Sequence, residues 1–286
     1  MRTSDFAAML SSHGVKRAFI AFRNGKVEAS HACLESLRAS LEGDLVDYNQ
    51  HECVFLQVYG DCLFGVTLWR TRRGQGCGGI RLREYESLDG FINDGLRLSI
   101  GMGRKNALAN LWWGGGKGVI AIGDDKDTVN FPERRSDLLH AYGAFITSLR
   151  GCYVAAEDAG MNVSDMDQVF QTTRFTTCIN PDKGGSGNPS IPTATGIVCG
   201  MEGALSALGL GTLEGKSVAV QGLGNVGGAL VGFLLHKGCT VIGTDIDLKR
   251  IKFLKDLHKS FVVSEKLILE PEWTSILSQD VDIVSP

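Results

Sequence analysis

The sequence predicts an α/β protein in which an N-terminal α/β domain, residues 1–185, is followed by a doubly wound parallel sheet, residues 186–286. The length, 286 residues, exceeds one average domain. Residues 181–192, PDKGGSGNPSIP, concentrate Gly, Pro, Ser and Asn in the manner of a linker. Beyond them, short apolar runs alternate with helical patterns, and that alternation builds parallel sheets with crossover helices.

Residues 1–45 carry the weakest pattern, an extension in which only HACLESLRASLE (31–42) reads as a helix. From 53 to 69 two β-rich runs flank Tyr59-Gly60-Asp61, whose Gly and Asp favour a turn, so a hairpin is expected. Leu88, Phe91, Ile92, Leu96, Leu98 and Ile100 share one broad face of a helix from 88 to 102. WWGGGKGVIAIG (112–123) reads as a glycine loop entering a buried strand, VIAI. A helix over 134–149 precedes a short strand, Tyr153 to Ala156, that ends at Glu157 and Asp158. Ser164 is expected to open the next helix, with Asp165 and Asp167 favourable in its first turn. After the linker come a helix from Thr193 to Leu208, strand 217–221, helix 226–236, strand 240–245 and helix 248–258. A strand over FVV (261–263), a short helix near 270–278 and a strand over VDIVSP (281–286) complete the pattern.

Composition removes several function classes. Net charge is −3 with both signs interspersed, so no electrostatic footprint for nucleic acid exists, and Arg70, Arg72 and Arg73 read as a solvated turn. The six histidines form no zinc-binding spacing, and no metal site is expected. No run of 18 apolar residues predicts a membrane span. Eight scattered cysteines without a CxxC pair predict reduced thiols and a cytoplasmic setting. The N-terminus lacks a signal-peptide core, although its basic, acid-poor composition hints at import into an organelle such as the mitochondrion.

Gly222, Gly224 and Gly227 directly follow the strand SVAVQ and open a helix, with Leu223, Asn225 and Val226 filling the loop between them. Asp245 stands 23 residues after Gly222, at the end of the next apolar strand. This is the context that a dinucleotide fingerprint requires. Gly222 permits the tight turn, Gly224 lets the backbone approach a pyrophosphate, and Gly227 allows close helix–strand contact. The free N–H groups of the helix N-terminus face the phosphates. Asp245 would accept hydrogen bonds from the adenosine ribose and repel a 2′-phosphate, which selects NAD over NADP.

Before the linker, GMGRKNALANLWWGGGKGVI places Lys105 and Lys117 twelve residues apart. It is no Walker A loop, since Gly118 replaces the required Ser or Thr, and no GxSxG elbow surrounds Ser186. A lysine desolvated beside a second cation would have its pKa lowered and could act as a base. The local pattern equally fits a surface lysine on a flexible loop.

GGIR (78–81), GMGRKNA (101–107), GGGKGVI (114–120), AAEDAGMNVSDMD (155–167), GNPSIPTATG (187–196) and QGLGNVGGAL (221–230) together resemble the glutamate, leucine, phenylalanine and valine dehydrogenases, with the leucine and phenylalanine branch nearest. The resemblance runs from about residue 50 to the end. It implies a substrate domain followed by a Rossmann-like NAD domain, and reversible NAD-dependent oxidative deamination of an L-amino acid to the 2-oxoacid and ammonium. Lys105 matches the lysine that binds the substrate carboxylate, Lys117 the base that activates water, and Asp158 the acid that shuttles protons to and from the substrate nitrogen. Gly78, Gly79 and Met102 match the substrate pocket, and Thr193 a threonine near the nicotinamide. A homo-oligomer is implied, with the substrate held in a cleft that closes against water.

Glutamate dehydrogenases carry a lysine immediately before the GG pair, whereas this chain has Cys77, so a small apolar side chain is expected in the pocket. Thr195 and Gly103-Arg104 also depart from the leucine branch. The chain stops at what reads as the fourth strand of the nucleotide fold, so a C-terminal truncation is expected. The alternative function class is a truncated, non-catalytic homologue that retains nucleotide or partner binding.

Overall fold

The computed structural model describes residues 1–43, 46–270 and 274–285. The chain divides into two compact units, Met1–Asn188 and Pro189–Pro286.

In the first unit the elements run α1 (Thr3–Ser12), β1 (Arg17–Arg23), β2 (Lys26–Ala29), α2 (Glu35–Gly43), β3 (Cys53–Tyr59), β4 (Cys62–Leu68), β5 (Gly76–Arg83), α3 (Leu88–Leu108), β6 (Gly114–Ala121), α4 (Asp127–Asn130), α5 (Pro132–Ser148), β7 (Tyr153–Glu157) and α6 (Val163–Thr172). The strands form one seven-stranded sheet in the order β2-β1-β3-β4-β6-β5-β7. β5 lies parallel to both β6 and β7, while the pairings from β2 through β4 to β6 are antiparallel. Period-two alternation gives the sheet two buried faces. Leu63 and Val119 point to a core with Phe6, Leu10, Leu37, Phe91 and Leu96 of α1, α2 and α3. Phe64 and Ile120, one residue on, point to a core with Leu138, Tyr142, Phe145, Met166 and Val169 of α5 and α6. The expected hairpin is present, with Tyr59 opposite Cys62.

Several expectations need correction. Residues 1–43 are no loose extension, and Asp44 and Leu45 of that predicted segment lie outside the described residues. β1 and β2 form a hairpin turned at Asn24 and Gly25, whose φ values of 50° and 79° suit a type I′ turn. Phe6, Ala7 and Leu10 of α1 belong to the core, so the basic start is part of the folded unit and the hint of organelle import is not borne out. The supposed glycine loop at 114–118 is strand: all eight residues of β6 are buried. Its glycines allow close approach, not a turn. A Cβ on Gly118 would lie 2.5 Å from Tyr142 Oη and 2.8 Å from Tyr153 Oη. Asn162, not Ser164, caps α6, in a reciprocal box with Asp165.

The second unit runs α7 (Ser190–Leu208), β8 (Ser217–Gln221), α8 (Asn225–His236), β9 (Thr240–Thr244), α9 (Leu248–Leu257), α10 (Lys259–Val263), β10 (Leu267–Glu270) and β11 (Ile283–Ser285). Four parallel strands pair in the order β10-β9-β8-β11, so the direction of winding reverses between β8 and β11. Val218, Val220, Leu230, Leu234, Val241 and Leu254 fill its core. The predicted strand over Phe261, Val262 and Val263 is instead helix α10; the third strand is LILE, where Leu267 and Leu269 are buried and Ile268 and Glu270 are exposed. β-Branched content misled there, because burial on a sheet face decides a strand more than propensity does. Of the helix expected near 270–278, residues 271–273 lie outside the described residues and Ile276–Ser278 is a single 3₁₀ turn. Pro286 of the predicted last strand also lies outside them. α7 is the one described helix long and apolar enough to cross a membrane by composition, but its Ala194, Val198 and Leu205 sit in this unit's core.

Candidate functional site

β6 carries Lys117 into the interior of the first unit, where it is 4% exposed and lies opposite Thr67 of β4. A buried ammonium needs a counter-charge. Asp158, the first residue after β7, supplies it: Lys117 Nζ donates to Asp158 Oδ2 at 2.6 Å. β5 brings a third group. Arg81 Nε donates to the same Asp158 oxygen at 3.0 Å, and its Nη1 donates to Asp94 Oδ2 of α3 at 3.1 Å. Tyr85 Oη donates to that Asp94 oxygen at 2.9 Å.

These neighbours set the protonation behaviour of the pair. Burial pushes the Lys117 ammonium below the usual lysine range; Asp158 opposes that and Arg81 adds to it. Burial raises the Asp158 carboxyl, but Lys117, then Arg81 and the Ala159 N–H outweigh it and hold it below the usual carboxylate range. The second cation expected beside Lys117 is therefore Arg81. Lys105 instead stands exposed in the last turn of α3 and makes no ion pair among the described residues. Arg81 closes the GGIR run, yet its partners lie 13 and 77 residues away, a relation that no local spacing reveals.

The glycine pair before it makes room. A Cβ on Gly78 would collide with the Gly116 carbonyl and press on Met102 Cγ, and one on Gly79 would come within 2.6 Å of Asp158 Cβ. Cys77 is buried, and burial pushes its thiol up to about 12, so it offers a neutral, compact surface at neutral pH.

In the second unit, Gly222 has φ 89° and its N–H donates to Thr244 O at 2.9 Å, which locks the turn onto β9. Leu223 is buried, and its N–H donates to Asp245 Oδ2 at 2.7 Å. The Asp247 N–H donates to Asp245 Oδ1 at 2.8 Å. Asp245 is thereby held at the mouth of the fingerprint, with lone pairs to spare on both oxygens. Gly224 is the N-cap of α8 without a side-chain cap, leaving the first-turn N–H groups of Asn225, Val226 and Gly227 available to an anion. A Cβ on Gly227 would collide with the Gly222 carbonyl, so helix and strand pack closely there. Arg250 Nη1 lies 2.7 Å from where a Gly224 Cβ would stand, adding a cation beside the loop. Thr193 is exposed in the first turn of α7, donating to Pro189 O at 2.7 Å. A left-handed turn at Gly222, close helix–strand packing at Gly227, open N–H groups and an anchored carboxylate fit a dinucleotide.

Two family models match this chain: one described as Glu/Leu/Phe/Val dehydrogenase, dimerisation domain, over residues 66–175, and one as Glutamate/Leucine/Phenylalanine/Valine dehydrogenase, over 184–247. Leucine dehydrogenase of Bacillus subtilis is 38% identical over 242 residues, covering 84% of this chain and 62% of that protein. Valine dehydrogenase of Streptomyces albus is 40% identical over 198 residues, covering 69% and 53%. Among solved structures, L-tryptophan dehydrogenase from Nostoc punctiforme aligns with TM-score 0.57 at 29% identity, covering 82% of this chain and 63% of that one. A hetero-hexameric glutamate dehydrogenase from Thermus thermophilus shares the fold, with TM-score 0.62 at 17% identity, over 99% and 66%. The chain thus spans about three fifths of the Bacillus relative.

Proposed function

The chain belongs to the glutamate/leucine/phenylalanine/valine dehydrogenase family, and from that we propose that it serves the NAD-dependent oxidative deamination of a small apolar L-amino acid to the 2-oxoacid and ammonium. The observation that carries this reading is the buried Lys117–Asp158 pair at 2.6 Å. The reaction needs a tuned amine and a carboxylate that exchange protons away from bulk water. A bound nicotinamide would supply the acceptor for the hydride that leaves the substrate Cα.

This chain's residues do the rest. Lys105, exposed and without an ion pair among the described residues, offers a full positive charge to the substrate carboxylate. Neutral Lys117 takes a proton from water as that water attacks the iminium carbon. Asp158, a carboxylate at rest, takes a proton from the substrate ammonium before the hydride step and returns it to the nitrogen afterwards. The nitrogen leaves as ammonia when the C–N bond breaks, and the hydroxyl proton passes to the freed carboxylate as the 2-oxoacid forms. Gly78, Gly79 and Met102 border the substrate, and buried Cys77 gives no cation for a second carboxylate, which supports leucine, valine, isoleucine or phenylalanine over glutamate. In the other unit Gly222 to Gly227 would hold the pyrophosphate, Asp245 the adenosine ribose and Thr193 the nicotinamide end.

The two units divide the labour: residues 1–185 serve as the substrate domain and 186–286 as the NAD domain. A homo-oligomer is supported by the family model's description of residues 66–175 as a dimerisation domain. All eight cysteines are free, which supports a reducing, cytoplasmic setting. The test is kcat/KM for each apolar amino acid and for glutamate, with NAD and with NADP. A glutamate value equal to leucine's would overturn the substrate assignment, and nucleotide binding with no turnover on any amino acid would favour the non-catalytic alternative.

A further inference from the structure

Asp158 Oδ2 accepts hydrogen bonds from two cations on different strands, Lys117 at 2.6 Å and Arg81 at 3.0 Å. Arg81 is itself divided between two carboxylates, since its other arm meets Asp94 at 3.1 Å, and Tyr85 donates to the same Asp94 oxygen at 2.9 Å. Arg81, Asp94 and Asp158 are each between 22% and 28% exposed at the side chain, while Lys117 is 4% exposed. Along the hydrogen-bonded chain Lys117–Asp158–Arg81–Asp94 the four charges alternate as cation, anion, cation, anion. A guanidinium suits this place because its planar fork reaches two acceptors in fixed directions, which an ammonium does not.

We infer that Arg81 and Asp94 form a positioning couple, which orients Asp158 toward Lys117 and sets the charge balance around the amine. This rests on the reading of Lys117 as the base. Arg81 competes with Lys117 for one carboxylate oxygen and adds a like charge beside it, so it favours loss of the Lys117 proton. Asp94 restrains Arg81 by drawing part of its charge away, so it favours retention. Besides Arg83 on β5, Cys62 on β4, Glu157 on β7 and Asp89 and Arg97 on α3, the titratable groups on the elements packed around Lys117 include Cys77 on β5, Tyr153 on β7 and Tyr142 on α5. Burial keeps the last three protonated at neutral pH, and Thr67 on β4 does not titrate. At the far end of α3, Arg104 and Lys105 are exposed. The balance near the amine thus lies with Asp158, Arg81 and Asp94.

The couple makes a signed prediction. Arg81→Gln should move the titration of Lys117 upward by about one pH unit or more, and Asp94→Asn should move it downward by a similar amount, the usual size of a close-charge effect. Arg81→Lys keeps the charge and loses the fork. It should restore most of the titration midpoint while kcat stays reduced several-fold, because Asp158 is no longer held from two sides. The measurement is an NMR titration of the Lys117 side-chain signal in protein made with labelled lysine, alongside the pH profile of kcat/KM. A purely structural role predicts loss of thermal stability with no opposed shifts. Shifts of the same sign in the Gln and Asn variants, or none in either, overturn the inference. Opposed shifts in a protein that turns over no amino acid would uphold the couple and remove the dehydrogenase reading instead.

Discussion

Lys117→Ala should lower kcat by about 10²–10⁴-fold, the usual contribution of a positioned proton-transfer group, while nucleotide affinity stays within about two-fold because the fingerprint lies in the other unit. Steady-state rates and calorimetric titration of NAD check the two halves separately. The acid limb of kcat/KM should reflect a group that must lose its proton, with a midpoint below the ordinary lysine value of about 10.4, because burial lowers Lys117. Stability has its own pH dependence. Asp158 titrates below its ordinary range, so its contribution is complete above the unfolded carboxyl pKa and is lost as pH falls through the depressed one. Asp245→Ser should narrow the preference for NAD over NADP, since it removes both the ribose acceptor and the repulsion of a 2′-phosphate. The effect is read from the ratio of the two KM values. Lys117 and Asp158 were legible through the family resemblance; from local pattern alone Lys117 passed equally for a surface lysine. Arg81 and Asp94 were not legible, because the four-charge chain exists only once β5, β6, β7 and α3 are assembled.

Strand β6 shows how a glycine run can mislead. Four of its first five residues are glycine, a composition that reads as a loop, yet each gap is filled by a neighbouring backbone or ring. Gly118→Ala should cost about 1–3 kcal/mol, the range for forcing an extra methyl into a packed core, because the hydroxyls of Tyr142 and Tyr153 already occupy its space. Denaturant midpoints at constant slope would show it. Smaller effects from Gly118→Ala than from an exposed-site control would mean the rings move aside freely. The hairpin of β1 and β2 was readable in principle, since Asn24-Gly25 between apolar runs is a strong turn signal, but it sat in the segment with the weakest periodicity. β8, α8 and β9 were legible because turn glycines, helix and terminal acid occur in the order the phosphates require. α10 was not, since Phe-Val-Val favours a strand locally and only the pairing of LILE with β9 settles which segment joins the sheet.

Each unit has its own hydrophobic core, two faces of one sheet in the first and a single cluster around four parallel strands in the second. Nucleotide should therefore protect the second unit selectively. At about 100 times its Kd, NAD should add roughly 2.7 kcal/mol to the transition that unfolds the fingerprint. Calorimetry with and without NAD tests this, and equal stabilisation of every transition would contradict it. The central place of β6 has a consequence in time as well. Its strand is bonded to β4 on one side and β5 on the other, and both of its faces are covered. The backbone amides around Lys117 can meet deuterium only when that whole sheet opens, so they should be among the last in the first unit to exchange. Chain ends and surface loops will open and close many times while this amine keeps its address.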